Sequence, residues 1–196
     1  MIRTSVLLKN SSPGVNGDIS TLSGLDPILR RHAINEVTVL QQGPETIVHC
    51  EATSQRALKN FLDDPETDTF LHVRDTPMSE EIFVWQETEW GPSVRSALNL
   101  TLQEGKEAEY RTWLADKDVL RRLELCWRRN GVWRHDVLLQ GTAVIAYYET
   151  ETIHSVAKAF REPEALEMLL QELSAILVLD PYVPILTFYA TFEWNS

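Results

Sequence analysis

The sequence repeats itself at half its own length. Shifted by 98 positions, residues 39–66 align with residues 137–164 without a gap, and eight of the 28 aligned positions are identical. A repeat with this period predicts that the 196-residue chain contains two copies of one structural unit. The identical pairs are Val39/Val137, Leu40/Leu138, Gln42/Gln140, Gly43/Gly141, Ile47/Ile145, Glu51/Glu149, Pro65/Pro163 and Glu66/Glu164.

Hydrophobic patterns predict the same order of elements in both copies. Alternating residues indicate strands, and six apolar residues at helical spacing indicate one long helix between Gly105 and Asn130. Pro163 cannot continue a helix and so marks where the next helix breaks. Each copy therefore predicts the order β-α-β-β-α-β of ferredoxin-like folds. The predicted strands comprise residues 2–9, 36–42, 46–52 and 82–88 in the first copy, and 96–102, 133–140, 143–149 and 183–194 in the second.

This order predicts an α+β fold of two tandem ferredoxin-like units, over residues 1–90 and residues 94–196. A loop over residues 10–24 belongs to the first unit, and Gly91-Pro92 interrupts the pattern at the join. A sheet with helices on one face leaves its other face bare, although these strands are too apolar to face water. Because the second copy can cover the first, we expect the units to form an intrachain dimeric α+β barrel. A pocket would then lie in the barrel or between one sheet and its helices.

Composition argues against nucleic-acid and membrane partners. Acidic residues outnumber Lys and Arg by 29 to 18, giving a net charge of −11, whereas a polyanion is bound by basic side chains. No apolar run approaches the roughly 20 residues that cross a bilayer, and the first residues indicate a strand rather than a signal peptide. Cys50 and Cys126 lie far apart in the sequence and are interpreted as reduced thiols. We therefore expect a cytoplasmic protein.

The sequence lacks the common motifs that hold metals and nucleotides. Its five histidines show no HxH, HxxxH or HExxH spacing, and neither GxGxxG nor GxxxxGKS/T occurs. The nucleophile motif GxSxG is also missing. If the protein is an enzyme, we therefore expect it to work with side chains alone, without a metal or another cofactor.

Residues 134–173 carry a pattern of elements that resembles the dimeric α+β barrel superfamily. It runs from the strand RHDVLLQ through a hairpin, a strand ending in Tyr-Glu and a capped helix to Pro-Glu before another apolar helix. Within the superfamily it is most similar to aromatic-polyketide cyclases of the tetracenomycin type, followed by antibiotic-biosynthesis monooxygenases. The resemblance implies a cofactor-independent cyclase of secondary metabolism, acting on an aromatic or polyketide-like molecule. It also implies a homodimer or, here, a monomer with an internal pseudo-dimer.

The resemblance leaves two alternatives open. One is a cofactor-independent monooxygenase of a phenolic substrate, and the other is a non-catalytic protein that binds a small molecule. The superfamily also contains haem-binding enzymes and mutarotases, so the fold by itself does not decide the activity.

Polar and aromatic residues on the strands provide the candidate catalytic groups. His135 and Tyr147 lie on neighbouring strands, and a His and a Tyr that face an apolar pocket can move a proton to and from a substrate. His49 occupies the position of Tyr147 in the first copy and is the third candidate. The adjacent Cys50 points to the opposite face of the strand, so it cannot form a nucleophile–base pair with His49. The alternative for His135 and Tyr147 is that neighbouring groups satisfy them or that they lie at the solvent edge.

The candidate substrate-binding residues are Trp113 and Trp127 on the long helix, and Arg134 and Tyr148 on the strands. Tryptophan offers a large stacking surface to a planar aromatic substrate. The alternative for the two tryptophans is contact between helix and sheet without any ligand.

Overall fold

The computed structural model describes residues 1–8, 22, 24–87, 91, 93–179 and 187–196. Most of the predicted loop over residues 10–24, and most of the predicted join at residues 89–93, lie outside this range. The chain divides into two compact units, of which unit 1 comprises Met1–Glu81 and Phe188–Ser196, and unit 2 comprises Ile82–Thr187. In the described ranges no helix is both long enough and apolar enough to cross a membrane.

Unit 1 is an antiparallel sheet of four strands with three helices on one face. The strand order is β1-β3-β2-β8. Apolar side chains from the helices and from every second strand position share one buried core, because strand side chains alternate between faces. The elements are β1 (Ile2–Leu8), α1 (Asp26–Arg31), β2 (Ile34–Gln42), β3 (Glu45–Ala52), α2 (Gln55–Leu62), α3 (Pro65–Leu71) and β8 (Thr187–Asn195).

Unit 2 has the strand order β5-β7-β6-β4, and β7 pairs antiparallel with both of its neighbours. Its helices cover one face of the sheet and enclose a core rich in aromatic side chains. One turn of π-helix, Met168–Glu172, follows the last α-helix. The elements are β4 (Glu80–Gln86), β5 (Val94–Thr101), α4 (Glu107–Ala115), α5 (Lys117–Arg129), β6 (Val132–Gln140), β7 (Ala143–Thr150), α6 (Ser155–Arg161) and α7 (Pro163–Glu167).

The order of elements predicted from the repeat is present in both copies. Each copy has strand, helix, two strands joined by a hairpin, helix and strand, although helices are split in two in places. Gly43 and Gly141 occupy the two hairpins with positive φ, which glycine adopts without strain. The predicted α+β class with ferredoxin-like units is therefore confirmed, whereas the origin of the two copies by duplication stays a prediction.

The last strand of each sequence copy belongs to the sheet formed by the first three strands of the other copy. The sequence predicts that residues 183–194 close the second unit, but the described part of this strand, β8, pairs with β2 in unit 1. There Trp194 packs against the core, and its Nε1 donates to Asp26 Oδ1 at 2.7 Å. β4 instead neighbours β6 in unit 2. Aromatic residues on β4 and β8 fit these separate cores, and the bounds 1–90 and 94–196 stay a prediction about the sequence repeat.

The prediction of a single long helix in the second copy is wrong, because the structure has two helices there. Asp116 has extended backbone angles and separates α4 from α5. Its carboxylate accepts hydrogen bonds from the backbone N–H groups of Asp118 at 2.8 Å and Val119 at 3.1 Å. An aspartate that caps a new helix in this way satisfies donors that a continuous helix would use internally. The apolar spacing continues across the break, which is why the sequence pattern did not reveal it.

We expect the loss of this cap to destabilise unit 2. Asp116→Ala removes both side-chain hydrogen bonds at the start of α5 and should lower the free energy of unfolding by about 1 kcal/mol. Asp116→Asn keeps an acceptor of the same shape and should retain most of the stability. Urea unfolding followed by circular dichroism measures both variants. Equal losses in the two variants would contradict a capping role.

Candidate functional site

The pairing of β6 with β7 fixes which side chains share a face. His135 lies opposite Tyr148 in this register, and Asp136 lies opposite Tyr147. Successive side chains of a strand point to opposite faces, so these two pairs lie on opposite sides of the sheet. His135 and Tyr148 face the helices of unit 2. The structure therefore does not bring together His135 and Tyr147, the two residues predicted to share proton transfer.

On the helix side, aromatic rings surround His135. Its imidazole stacks on Tyr148 with ring centroids 4.4 Å apart and an interplanar angle of 5°. Trp127 of α5 contacts the imidazole edge-on at 4.5 Å, and Phe83 of β4 does so at 5.8 Å. The helix before β6, the strand after it and the distant strand β4 therefore all contact this one imidazole ring. The predicted binding residues Trp127 and Tyr148 are both part of this aromatic group.

The His135 imidazole is buried and has no hydrogen-bond partner among the described residues. Only 6% of the residue is exposed, and neither Nδ1 nor Nε2 has a partner among the described residues. Burial lowers the pKa of the imidazole from 6.5 to about 3, because an apolar environment disfavours the charged form. The ring is consequently neutral at physiological pH, with one nitrogen able to donate and the other able to accept.

A small, partly enclosed cavity of about 50 Å³ adjoins the imidazole. Trp113 and Tyr110 of α4 line it together with His135, Tyr148 and apolar side chains from the sheet and helices. Burial raises the pKa of Tyr110, and burial together with nearby Tyr110 raises the pKa of Tyr148, so both phenols stay protonated. The cavity is thus apolar, with an imidazole and two phenols in its lining. Within the described part of the chain, no three His, Cys, Asp or Glu side chains are placed to hold a metal ion.

On the opposite face of the same sheet, charged groups satisfy one another. Arg134 donates from Nε to Asp136 Oδ2 at 2.8 Å and from Nη1 to Glu149 Oε1 at 2.9 Å. The Tyr147 hydroxyl donates to Glu149 Oε1 at 3.2 Å, and the Arg134 guanidinium lies 5.2 Å from the centroid of the Tyr147 ring. The buried Arg134 cation therefore has two carboxylate partners within the protein and needs no ligand to balance its charge. Arg134 and Tyr147, predicted to bind and to react, occupy this network rather than the cavity.

In unit 1, His49 is fully buried on the sheet face that points away from the helices. Its Nδ1 lies 2.9 Å from Ser5 Oγ, within hydrogen-bond distance, and Thr38 is its partner on β2. Cys50 faces the helix-side core instead, and burial raises the pKa of its thiol. The geometry therefore keeps His49 and Cys50 apart, as strand alternation predicts, and a catalytic role for His49 stays a prediction.

Several residues of the site are not apparent from the sequence patterns. Phe83 reaches His135 from a strand that belongs to the first copy, so no pattern within the second copy could reveal it. Tyr110 is one of the six apolar residues of the predicted helix, and Phe160 lies in the next helix. Glu172 Oε2 accepts a hydrogen bond of 2.7 Å from Trp113 Nε1. The apolar pattern that ends at Glu172 in the sequence does not indicate its hydrogen bond with Trp113.

The fold and cavity define an α+β protein of ferredoxin-like architecture. No protein-family model and no curated protein matches the sequence. Among solved structures, a candidate monooxygenase from Fusobacterium nucleatum subsp. nucleatum matches with a TM-score of 0.62 and 7% identity, over 99% of this chain and 94% of that one. An anthrone oxidase-like protein matches with a TM-score of 0.58 and 15% identity, over 99% and 92% of the two chains.

A third structure is a ferredoxin-fold protein from Listeria monocytogenes 4b F2365 that is related to antibiotic biosynthesis monooxygenases. It matches with a TM-score of 0.52 and 9% identity, over 97% of this chain and 95% of that one. At such identities the likeness shows the fold alone. The chain thus shares the ferredoxin-like fold of monooxygenase-like proteins, and its likeness to polyketide cyclases stays a prediction.

His135 should make the stability of the protein depend on pH. The pKa of its imidazole is about 3 in the folded state, against an ordinary 6.5, so between these values only the unfolded chain takes up the proton. Stability therefore falls as the pH decreases through this window. Between about pH 7 and pH 5 we expect His135→Phe to lose about 2 kcal/mol less stability than the wild type.

Urea unfolding at the two pH values measures this difference. His154→Phe replaces an exposed histidine and serves as the matched control, which should behave like the wild type. An unchanged pH dependence in His135→Phe would contradict the neutral, buried state of the ring.

Proposed function

We propose that the protein binds a small, neutral aromatic molecule carrying a hydroxyl or ketone group in the cavity of unit 2. The observation that carries this proposal is the buried His135 imidazole, whose two nitrogens have no partner among the described residues. A buried polar group without a hydrogen bond costs about 1–3 kcal/mol. A ligand oxygen would recover this energy, whereas a purely apolar ligand would not.

The lining of the cavity favours a flat and uncharged ligand. Trp127 and Tyr148 hold planar surfaces beside the imidazole, and aromatic pairs contribute about 0.5–1.5 kcal/mol beyond the area that they bury. No Lys, Arg, Asp or Glu is among the described residues that line the cavity. A charged ligand would lose its hydration there without gaining an ion pair. The neutral imidazole can accept from a phenol or donate to a ketone.

The reaction that we propose is oxygenation of an activated phenol or its keto tautomer by O2, without a metal or organic cofactor. His135 would take the proton from the substrate, and the anion formed beside it would stabilise the imidazolium despite its burial. With an anthrone-type substrate, one oxygen atom enters the methylene carbon as a ketone and the other leaves as water. The substrate then supplies all four electrons that O2 takes up. The names of the monooxygenase-like and anthrone oxidase-like structures support this choice.

The polyketide cyclisation implied by the sequence resemblance is the second candidate. It needs a group that accepts and returns a proton in an apolar pocket, and His135 with the Tyr110 and Tyr148 hydroxyls offers such groups. Cyclisation consumes no oxygen, so the two reactions are separable by one measurement. Binding without conversion is the remaining alternative.

Binding should depend on His135 and be independent of Tyr147. Titration with 1-naphthol, followed by quenching of tryptophan fluorescence, should show an affinity at least about tenfold weaker in His135→Phe than in the wild type. Tyr147→Phe removes a hydroxyl on the other face of the sheet and should leave the affinity unchanged. A loss in Tyr147→Phe alone would move the site to that face and overturn the proposal.

Oxygen consumption tests the reaction. An oxygen electrode should record uptake when the protein is added to anthrone, with one O2 consumed for each anthraquinone formed. His135→Phe should reduce the rate by about 10²-fold or more, the usual contribution of a general base. Product formation from a poly-β-ketone without any oxygen uptake would favour the cyclase instead. Tight binding of both compounds without turnover would leave a binding protein.

A further inference from the structure

The cavity is too small for the ligand class proposed above unless a side chain moves. Its volume is about 50 Å³, whereas a cavity that holds benzene measures about 150 Å³. The sheet side of the cavity is held by backbone hydrogen bonds on both edges of β7. A displaceable wall is therefore to be sought on the helix side.

Trp113 lies between the cavity and a groove at the surface. A groove of about 650 Å³ lies outside α4 and α5, bounded by side chains such as Thr112, Arg122 and Ile176. Of the described residues that line these two spaces, Trp113 alone lines both. The indole is half-buried and packs against two hydrophobic clusters, both of which contribute residues to the cavity lining. Displacing this one ring would join the cavity to the groove.

Among the described residues, Glu172 forms the hydrogen bond that positions the indole. Trp113 Nε1 donates to Glu172 Oε2 at 2.7 Å, and Arg122 Nη2 donates to Glu172 Oε1 at 2.8 Å. Glu172 and Arg122 are each about one-third exposed, so water can replace these bonds at little cost. Glu172 also ends the π-helical turn Met168–Glu172, a type of irregularity frequent at functional sites. The hydrogen bond from Trp113 to Glu172 can therefore position the indole and can also be replaced by water when the ring moves.

We infer that Trp113 is a gate that controls access to the cavity and limits ligand size, and that Glu172 with Arg122 holds it closed. The inference rests on the proposed function, because it concerns the route to that binding site. Its physical basis is separate, however, since a gate controls the passage of any small molecule. It can therefore be tested with a reagent that is not a ligand.

Access is measured by labelling a cysteine placed inside the cavity. Ala146 is buried on β7 and lines the cavity, so Ala146→Cys puts a thiol behind the indole. Methyl methanethiosulfonate should label position 146 slowly, and at least about tenfold faster when Glu172→Leu or Trp113→Phe is added. Glu167→Leu changes an exposed carboxylate at the end of α7, just before the π-helical turn, and should leave the rate unchanged.

Cys126 reports whether a faster rate is only unfolding. It is buried in the same unit but is not among the residues that line this cavity, and peptide mapping separates its label from that at position 146. Acceleration at position 146 alone supports the gate. Equal acceleration at both cysteines, or none at position 146, overturns it.

Ligand size gives the second arm. Trp113→Ala should raise the affinity for anthrone relative to that for phenol by about tenfold or more, because the three rings then fit without displacing the indole. If neither ligand binds any variant while labelling still depends on Glu172, the proposed function fails and the gate stands. If ligands bind through His135 while substitutions at Glu172 and Trp113 change neither the labelling rate nor the size preference, the gate fails and the proposed function stands.

Discussion

The alternation of side chains across the β6–β7 ladder divides the polar groups of unit 2 into two sets with different energetics. On one face, the charge of Arg134 meets Asp136 and Glu149 at hydrogen-bond distance. On the other, His135 contacts aromatic rings and adjoins a small, largely apolar cavity. A shift of one residue in the register would exchange the two sets. The charges would then face an apolar core, and the imidazole would lose its aromatic contacts, so the register and the site depend on each other.

The energetics of His135 explain why such a site persists in a stable fold. The buried ring leaves about 1–3 kcal/mol of hydrogen bonding unused. Contacts with Tyr148 and Trp127 offset a comparable amount, at about 0.5–1.5 kcal/mol for each aromatic pair. The ring is therefore fixed by packing while its nitrogens stay available. In natural proteins, buried polar groups without hydrogen bonds occur mainly at functional sites. Among the described residues that line the cavity, the His135 imidazole is such a group.

The sequence alone predicts the order of the elements in each copy and names some of the residues that line the candidate cavity. Local signals were sufficient for the hairpins, for the helix break before Pro163, and for the presence of Trp127, Tyr148 and His135 among the candidates. The face of each strand residue was not predictable, because it depends on register rather than on composition, and Arg134 and Tyr147 were consequently placed with the wrong neighbours. The sequence also did not reveal that β8 pairs with β2 and that β4 neighbours β6. Pairing between strands far apart in the sequence depends on how their side chains pack in the core, which local patterns do not show.

The two copies differ at the positions that matter for the cavity. Val37 pairs with Cys50 in β2–β3 just as His135 pairs with Tyr148 in β6–β7, so the repeat places these residues equivalently. Val37 and Cys50 are fully buried members of the unit 1 core, where an apolar pair needs no ligand to satisfy it. The opposite faces keep an acidic residue in both copies, Glu51 and Glu149, each near an arginine. An acidic residue near an arginine is thus common to both copies, whereas the stacked pair His135 and Tyr148 of unit 2 stands where unit 1 has Val37 and Cys50.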